Sequence, residues 1–381
     1  MNIAFFNHSL IIGSGIDTVI YELAKRIAKK HNVTVFTFDS SYSDENFKIE
    51  EIKIPLKNKV TTTALAPIFI RNVTKIRTIL ERFDVVNTHH YPANIISMNL
   101  KKPLNIVTDW GSVDSKLFTN IEEKMYVKFT TLMHKHAARH ADYVITPCDF
   151  VKRRVDTEYG IKSTKLFLDG INFDIFNKNK IKCDSIYTKY PSLEDNKVIL
   201  FVGRITPSKN IETLINAFKL INKKIPDTKL VIVGDQNRHV NYYKYISQLV
   251  KEGNLTESVI FTGVVSWEDL PKYYSLCDVY ATCSLWEGFL RAEAYAMEKP
   301  IVAFDVAAMG ETIIDGKSGL LVKEQTPTAF ANALMTLLTN EKMREEMGKN
   351  GYIWAKENLD FDIITKNFIN FIEEKIKMKS T

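Results

Sequence analysis

Short apolar runs of four to seven residues recur along this chain in two sets of five, and no other feature limits its possible folds so strongly. The first set is 2–6, 32–38, 85–88, 105–108 and 143–146, with amphipathic segments such as 17–29 and 124–141 between members. The second is 198–202, 229–233, 258–262, 279–282 and 300–304, separated by helical periodicity near 210–223, 241–251 and 268–275. Runs without polar alternation suit strands covered on both faces, and strand–helix alternation makes those strands parallel. The expected fold is α/β: two Rossmann-like, doubly wound domains facing across a cleft. The lysine-rich stretch 177–196 reads as a linker, which places the first domain at 1–176 and the second at 197–361. Helices at 328–338 and 341–348 and a segment at 360–377 finish the chain.

At 381 residues, 45% of them hydrophobic and 25% charged, the chain is a globular one with enough apolar material for two cores. No run approaches the roughly 18 apolar residues of a membrane span, and the start lacks the basic segment of a signal peptide. The cysteines at 148, 183, 277 and 283 form neither a close pair nor a disulfide framework, so a cytoplasmic location is expected. Charge is uneven: residues 1–190 hold 28 Lys plus Arg against 20 Asp plus Glu, and residues 191–381 hold 23 against 25. A basic first half attracts an anionic acceptor or membrane surface, or simply carries solvated lysines. The mixed basic and apolar stretch 57–77 is similarly open between peripheral contact with the inner face of the cell membrane and an ordinary loop and helix.

Two segments of the second half carry the chemistry. In Phe201-Val-Gly-Arg-Ile-Thr-Pro-Ser-Lys-Asn210 a strand ends on Gly203, which lets a ligand approach the backbone, and Arg204 and Lys209 stand before the next helix. Exposed N–H groups at a helix start and two cations suit a diphosphate and stabilise charge on it as it leaves. Cation side chains on an ordinary turn are the alternative. In Cys283-Ser-Leu-Trp-Glu-Gly-Phe289, Glu287 is placed to accept hydrogen bonds from sugar hydroxyls. Glu293, at the start of the following helix, suits a ribose diol or a helix cap.

In the first half, Gly13-Ser-Gly-Ile-Asp17 follows a strand and precedes a helix, as a phosphate-facing loop or a plain glycine turn. It is not a full dinucleotide fingerprint, but a nicotinamide-dependent oxidoreductase stays open at this point. Asp109 and Trp110 follow the strand 105–108, where Asp109 suits an acceptor hydroxyl and Trp110 either packs on a sugar or fills core. His8, His89, His90, His134, His136 and His140 lack a known zinc spacing, so no metal site is expected.

Taken in order, several pieces resemble one family: Gly13-Ser-Gly-Ile-Asp17, Asp84-Val-Val-Asn-Thr-His-His-Tyr91, Phe201-Val-Gly-Arg204 with Lys209, Val259-Ile-Phe-Thr-Gly263, Asp278, Ser284 with Glu287-Gly-Phe289, Glu293 through Pro300, and Met309-Gly-Glu311 with Asp315-Gly316 and Gly319. The family is the retaining, nucleotide-sugar-dependent glycosyltransferases of the GT-B fold, the large Glu-x7-Glu group known as glycosyl transferases group 1. The resemblance implies that a nucleoside-diphosphate sugar is the donor substrate, with no metal or other cofactor. It implies that Arg204 and Lys209 bind the diphosphate, Gly203 and Gly15 lie near it, Thr262 and Gly263 lie beside the base, Glu293 binds ribose and Glu287 meets the sugar. The first domain, joined by the C-terminal helix 362–378, would hold a glycan or lipid-linked acceptor through Asp109 and Trp110. No nucleic-acid partner is implied.

The chain departs from the family twice. Five residues separate Glu287 from Glu293, two fewer than the motif, and Trp110 stands where the family commonly has histidine. Tryptophan stacks and donates one hydrogen bond but cannot transfer a proton as histidine does. The sequence therefore carries two expectations: a transferase moving a hexose in polysaccharide or glycolipid synthesis, or a degenerate carbohydrate-binding or scaffold protein without transfer activity.

Overall fold

The structure is a computed structural model that describes residues 1–53, 70–111, 121–237, 239–288, 290 and 292–380, without the side chains of 70–72 and 380. The stretch 57–77 therefore lies outside the described residues as far as 69, and Phe289 and Arg291 lie outside them too.

Strand β1 (Asn2–Phe6) shows why the apolar runs become buried strands: Ile3 and Phe5 enter one hydrophobic cluster, Ala4 and Phe6 another. Side chains two apart share a face, so an uninterrupted apolar run covers both faces of the sheet. It is joined by β2 (Asn32–Thr37), β3 (Lys48–Glu51), β4 (Val85–Thr88), β5 (Leu104–Thr108), β6 (Tyr143–Thr146) and β7 (Thr164–Lys165). The order is β3-β2-β1-β4-β5-β6-β7, all parallel. Helices α1 (Gly15–Ile27), α2 (Ile70–Leu80), α3 (Ala93–Ile96), α4 (Ile121–Ala138) and α5 (Asp149–Tyr159) connect them. In this sheet the sequence reading missed β3 and β7. Both are sheet edges, and Lys48-Ile-Glu-Glu51 and Thr164-Lys165 are too polar or too short to read as strands.

The second sheet contains β8 (Lys197–Val202), β9 (Thr228–Val233), β10 (Val259–Gly263), β11 (Val279–Thr282), β12 (Ile301–Phe304) and β13 (Gly319–Val322). Its order is β10-β9-β8-β11-β12-β13, again all parallel. Around it run α6 (Asp184–Lys189), α7 (Ile211–Lys224), α8 (Val240–Glu252), α9 (Leu270–Leu276), α10 (Glu293–Ala296), α11 (Met309–Thr312), α12 (Pro327–Thr339) and α13 (Glu341–Asn358). Helix α13 runs ten residues past the end read from the sequence. Its glycines are sites of close approach rather than stops: a Cβ at Gly348 would meet the Glu298 carbonyl oxygen at 1.8 Å, and one at Gly351 the Tyr295 ring at 2.3 Å.

The chain divides into one unit of Met1–Gly170 with Phe361–Thr381 and another of Ile171–Asp360. The stretch 177–196 thus lies inside the second unit and holds α6. Just before it, Phe176 is 1% exposed and packs its ring edge-on against Trp267 at 5.4 Å. The last helix, α14 (Phe361–Ser380), belongs to the first unit. Phe361, Ile364, Phe368, Phe371 and Ile372 line one helical face in the cluster around Phe5, and Phe368 stacks on that ring at 5.8 Å.

Candidate active site

In the second sheet the winding reverses between β8 and β11, so the loops leaving those two strands diverge and open a crevice at the carboxyl edge. The loop after β8 carries Gly203, whose N–H donates to Val233 at 3.0 Å, and the exposed Arg204. It then tightens into a 3-10 turn, Pro207–Lys209, and Asn210 in the left-handed region (φ 51°) starts α7. The Leu285 N–H donates to the Ser208 carbonyl at 3.0 Å and ties the loop after β11 to this turn. That link sets Lys209 against Glu287, whose carboxylate accepts from the ammonium. Both side chains are about five-sixths buried, at 16% and 17% exposure. The Ala308 N–H reaches the Glu287 carbonyl at 3.3 Å, so the approach to α11 closes on the same point.

Glu293 opens α10 and is buried at 3% exposure. Thr262 and Gly263 end β10 two strands away, where Gly263 accepts from the Gly234 N–H at 3.0 Å and has open space where a side chain would stand. The structure brings Lys209 and Glu287 into direct contact, a pairing the sequence reading did not foresee because it assigned them to different parts of a ligand. Such a pair is neutral as it stands. Separated by a ligand, it presents an ammonium to phosphate oxygens and a carboxylate to hydroxyl groups.

The first sheet reverses between β1 and β4, and its crevice is lined by polar groups the sequence reading largely passed over. Asp17 clamps the loop after β1: its carboxylate accepts from Asn7 Nδ2 at 2.8 Å, Ser9 Oγ at 3.0 Å and the Ile11 N–H at 2.8 Å. Asn7 Oδ1 lies 3.3 Å from His90 Nδ1, joining that loop to the one after β4. Ser14-Gly-Ile-Asp17 has the spacing of a capping box, but the Ser14 side chain makes no cap and Asp17 turns to the loop after β1 instead. Gly15, the first residue of α1, is half-buried beside this loop.

Asp109 and Trp110, read as acceptor contacts, are buried at 2% and 7% exposure and engaged by the domain's own groups. Asp109 lies 3.1 Å from His134 Nε2 and accepts from the Gly111 N–H at 2.8 Å. Burial works to raise its carboxyl, but His134, the Gly111 N–H and Tyr159 outweigh that and hold it below the usual range. Asn94 Nδ2 lies 2.6 Å from His134 Nδ1, on the other side of the same ring. The Trp110 indole N–H donates to His89 Nδ1 at 3.1 Å, with the two rings stacked at 6.0 Å. Burial lowers His89 to about 3 and takes His90 well below its ordinary value. His134 thus parts company with His136, exposed on the same helix, and with His140, exposed in the turn after it. Among the described residues, no three His, Cys, Asp or Glu groups gather as a metal site.

Two family models match the chain, one over each half. Residues 13–168 match Glycosyltransferase Family 4, and residues 184–354 match Glycosyl transferases group 1. An uncharacterized glycosyltransferase of Methanocaldococcus jannaschii, MJ1178, is 26% identical over 353 residues, 90% of either chain. In fold, the chain is similar to a sucrose-phosphate synthase from Thermosynechococcus elongatus, with TM-score 0.84, 21% identity and 99% and 100% of the two chains covered. It is also similar to Anabaena Alr3699/HepE, solved in complex with UDP-glucose, with TM-score 0.80, 18% identity and coverage of 99% and 100%. Two parallel α/β domains and matches over both halves define the class of protein, a glycosyltransferase of the GT-B fold. Within that class, the matches support placing this chain among the glycosyl transferases group 1.

Proposed function

We propose that this protein moves a hexose from a nucleoside-diphosphate sugar to a glycan or lipid-linked acceptor with retained anomeric configuration, working at the inner face of the cell membrane. The observation that carries the reading is the Lys209–Glu287 pair where the second sheet reverses. Donor binding separates the pair, Lys209 with Arg204 taking the diphosphate and Glu287 the sugar hydroxyls. Gly203 and Gly15 let backbone approach the phosphates, Glu293 accepts from the ribose diol, and Thr262 and Gly263 flank the base. In the transfer step the bond from the anomeric carbon to the diphosphate oxygen breaks. The acceptor oxygen bonds to that carbon on the same face, and its proton passes to the departing phosphate. Arg204 and Lys209 stabilise the charge released, so no metal or other cofactor is required.

Asp109 and Trp110 serve the acceptor side by holding the rings of His134 and His89 in place, through the contacts at 3.1 Å that each makes. The Anabaena neighbour's complex with UDP-glucose supports a uridine donor as the first to try. A second reading, a carbohydrate-binding protein without transfer activity, is favoured by the indole at position 110 and the shortened glutamate spacing. Calorimetric titration with UDP, GDP, ADP, their sugars and NAD tests both. Base-selective nucleotide binding, lost in Arg204→Ala/Lys209→Ala and followed by sugar transfer in acceptor assays, is the expected result. Binding without transfer would leave the second reading, and selective NAD binding would defeat both.

A further inference from the structure

Among the described residues, helix α4 carries an exposed apolar line, of which Phe129 meets the Tyr91 ring edge-on at 5.5 Å. Ile121, Met125, Phe129 and Leu132 are 67%, 66%, 41% and 58% exposed. Their spacing of four, four and three residues keeps them on one helical face. The helix is held from the other side and near its end, where His134, Ala137 and Ala138 are its buried residues and His134 meets Asp109 and Asn94. A line of large apolar side chains left largely in solvent along one helix face marks an interaction surface.

The charges beside the line say what it fits. Lys124, Lys128 and Lys135 follow one another along one flank at spacings of four and seven, while exposed Arg139 and His140 stand at the end of the helix. Lys135 and Arg139 are braced on the C-terminal end of α5 through the carbonyls of Glu158 and Tyr159 at 2.5 and 2.8 Å. The carboxylates on this helix, Glu122 and Glu123, are confined to its first turn. A narrow apolar line with cations along its flank matches a lipid surface, where apolar side chains enter the acyl boundary and lysines reach anionic headgroups. A second copy of the chain is a poorer match. Its cations would face each other, and four side chains offer well under the ~800 Å² per partner of a standard stable interface.

We infer that α4 docks the first domain on an anionic bilayer, lying in the headgroup region with Ile121, Met125, Phe129 and Leu132 downward. This rests on the proposed function only for its purpose, which is to bring the domain to a lipid-linked acceptor; the binding itself needs neither donor nor transfer. The full chain is sedimented with vesicles of phosphatidylglycerol in phosphatidylcholine and with vesicles of phosphatidylcholine alone. Wild type is expected to pellet with the first, at least ten-fold more than with the second. Met125→Ser/Leu132→Ser and Lys124→Glu/Lys128→Glu should each lower that partition ten-fold or more, while Ile353→Ser, at an apolar position 55% exposed on α13, leaves it unchanged. Thermal melting checks that both variants remain folded. Wild type that stays in the supernatant overturns the inference, as do stripe variants that pellet like wild type, or a wild-type dimer that the serine pair dissolves. Nucleotide titration without vesicles reads the proposed function separately, so either can fail alone.

Discussion

Lys209, in the turn before α7, and Glu287, in the loop after β11, close an ion pair 78 positions apart in the chain. Each is the other's resting partner at the place where the proposed donor enters. The Lys209 ammonium must leave the carboxylate before it can meet a phosphate. Glu287→Gln removes that competition and should tighten binding of the bare nucleoside diphosphate several-fold while weakening the complete nucleotide sugar. Calorimetry with both ligands checks this; parallel changes in the two affinities would mean that the pair does not divide between phosphate and sugar.

Lys209→Met should cost at least a hundred-fold in kcat/KM, or about 3 kcal/mol, a typical loss for one preorganised charge-stabilising donor. Initial rates at saturating and limiting donor separate this from a loss of binding alone. A fall confined to KM would move Lys209 from transfer to ground-state binding.

Gly234 lies at the end of β9, where an added Cβ would stand 2.0 Å from the Gly203 carbonyl oxygen. Gly234→Ala must therefore displace the strand end beside Arg204. Overpacking of this kind costs about 1–3 kcal/mol of stability, and donor affinity should fall as well because Gly203 moves. Urea unfolding and nucleotide titration of the same variant give the two readings, and unchanged donor affinity would show that Gly203 is not near the ligand.

His134→Ala strips the buried Asp109 carboxylate of its partner at 3.1 Å. Asp109 keeps the Gly111 N–H at 2.8 Å, so the cost is about 1.5–3 kcal/mol, the range for losing one polar contact to a charged group. The midpoint of urea unfolding should fall accordingly, whereas His136→Ala, at an exposed position, should leave it in place.

Burial holds His89 neutral in the folded chain, with its value lowered from 6.5 to about 3. Between those limits the unfolded chain binds a proton that the folded chain does not. Stability is therefore complete above pH 6.5 and falls as pH drops toward 3, by at most about 1.4 kcal/mol per pH unit for each such group. His8 and His90 are lowered too and add in the same direction. Urea midpoints between pH 7.5 and 5 should decline in wild type and decline less in His89→Gln. Equal slopes would indicate that His89 takes up its proton without unfolding.

Both sheets were legible in the sequence because their central strands are apolar on both faces, a pattern that leaves little choice of environment. Residues 2–6 and 198–202 could not be anything else at low cost, since exposing either face would leave large apolar side chains in water. The edge strands β3, β7 and β13 were missed: β3 and β7 carry no such demand, and β13, Gly319-Leu-Leu-Val322, is a short apolar run of four. The helix ending at Asn358 was cut short because a glycine usually stops a helix, and only its neighbours Glu298 and Tyr295 explain why Gly348 and Gly351 do not.

Residue type and order along the chain determined the α/β class, the two domains and the segments holding Gly203, Arg204, Lys209, Glu287 and Glu293. Those follow from local patterns of apolar burial and loop chemistry that each segment carries by itself. Which side chains meet was settled by packing. Lys209 finds Glu287 because two loops from strands adjacent in space are tied through Ser208 and Leu285; Asp109 finds His134 because α4 packs on α3, whose Asn94 meets the same ring; and Phe361 and Phe368, nearly two hundred residues after β7, complete the first core. Pairings at such separation depend on where the sheet order places each strand end, and no local pattern records that order.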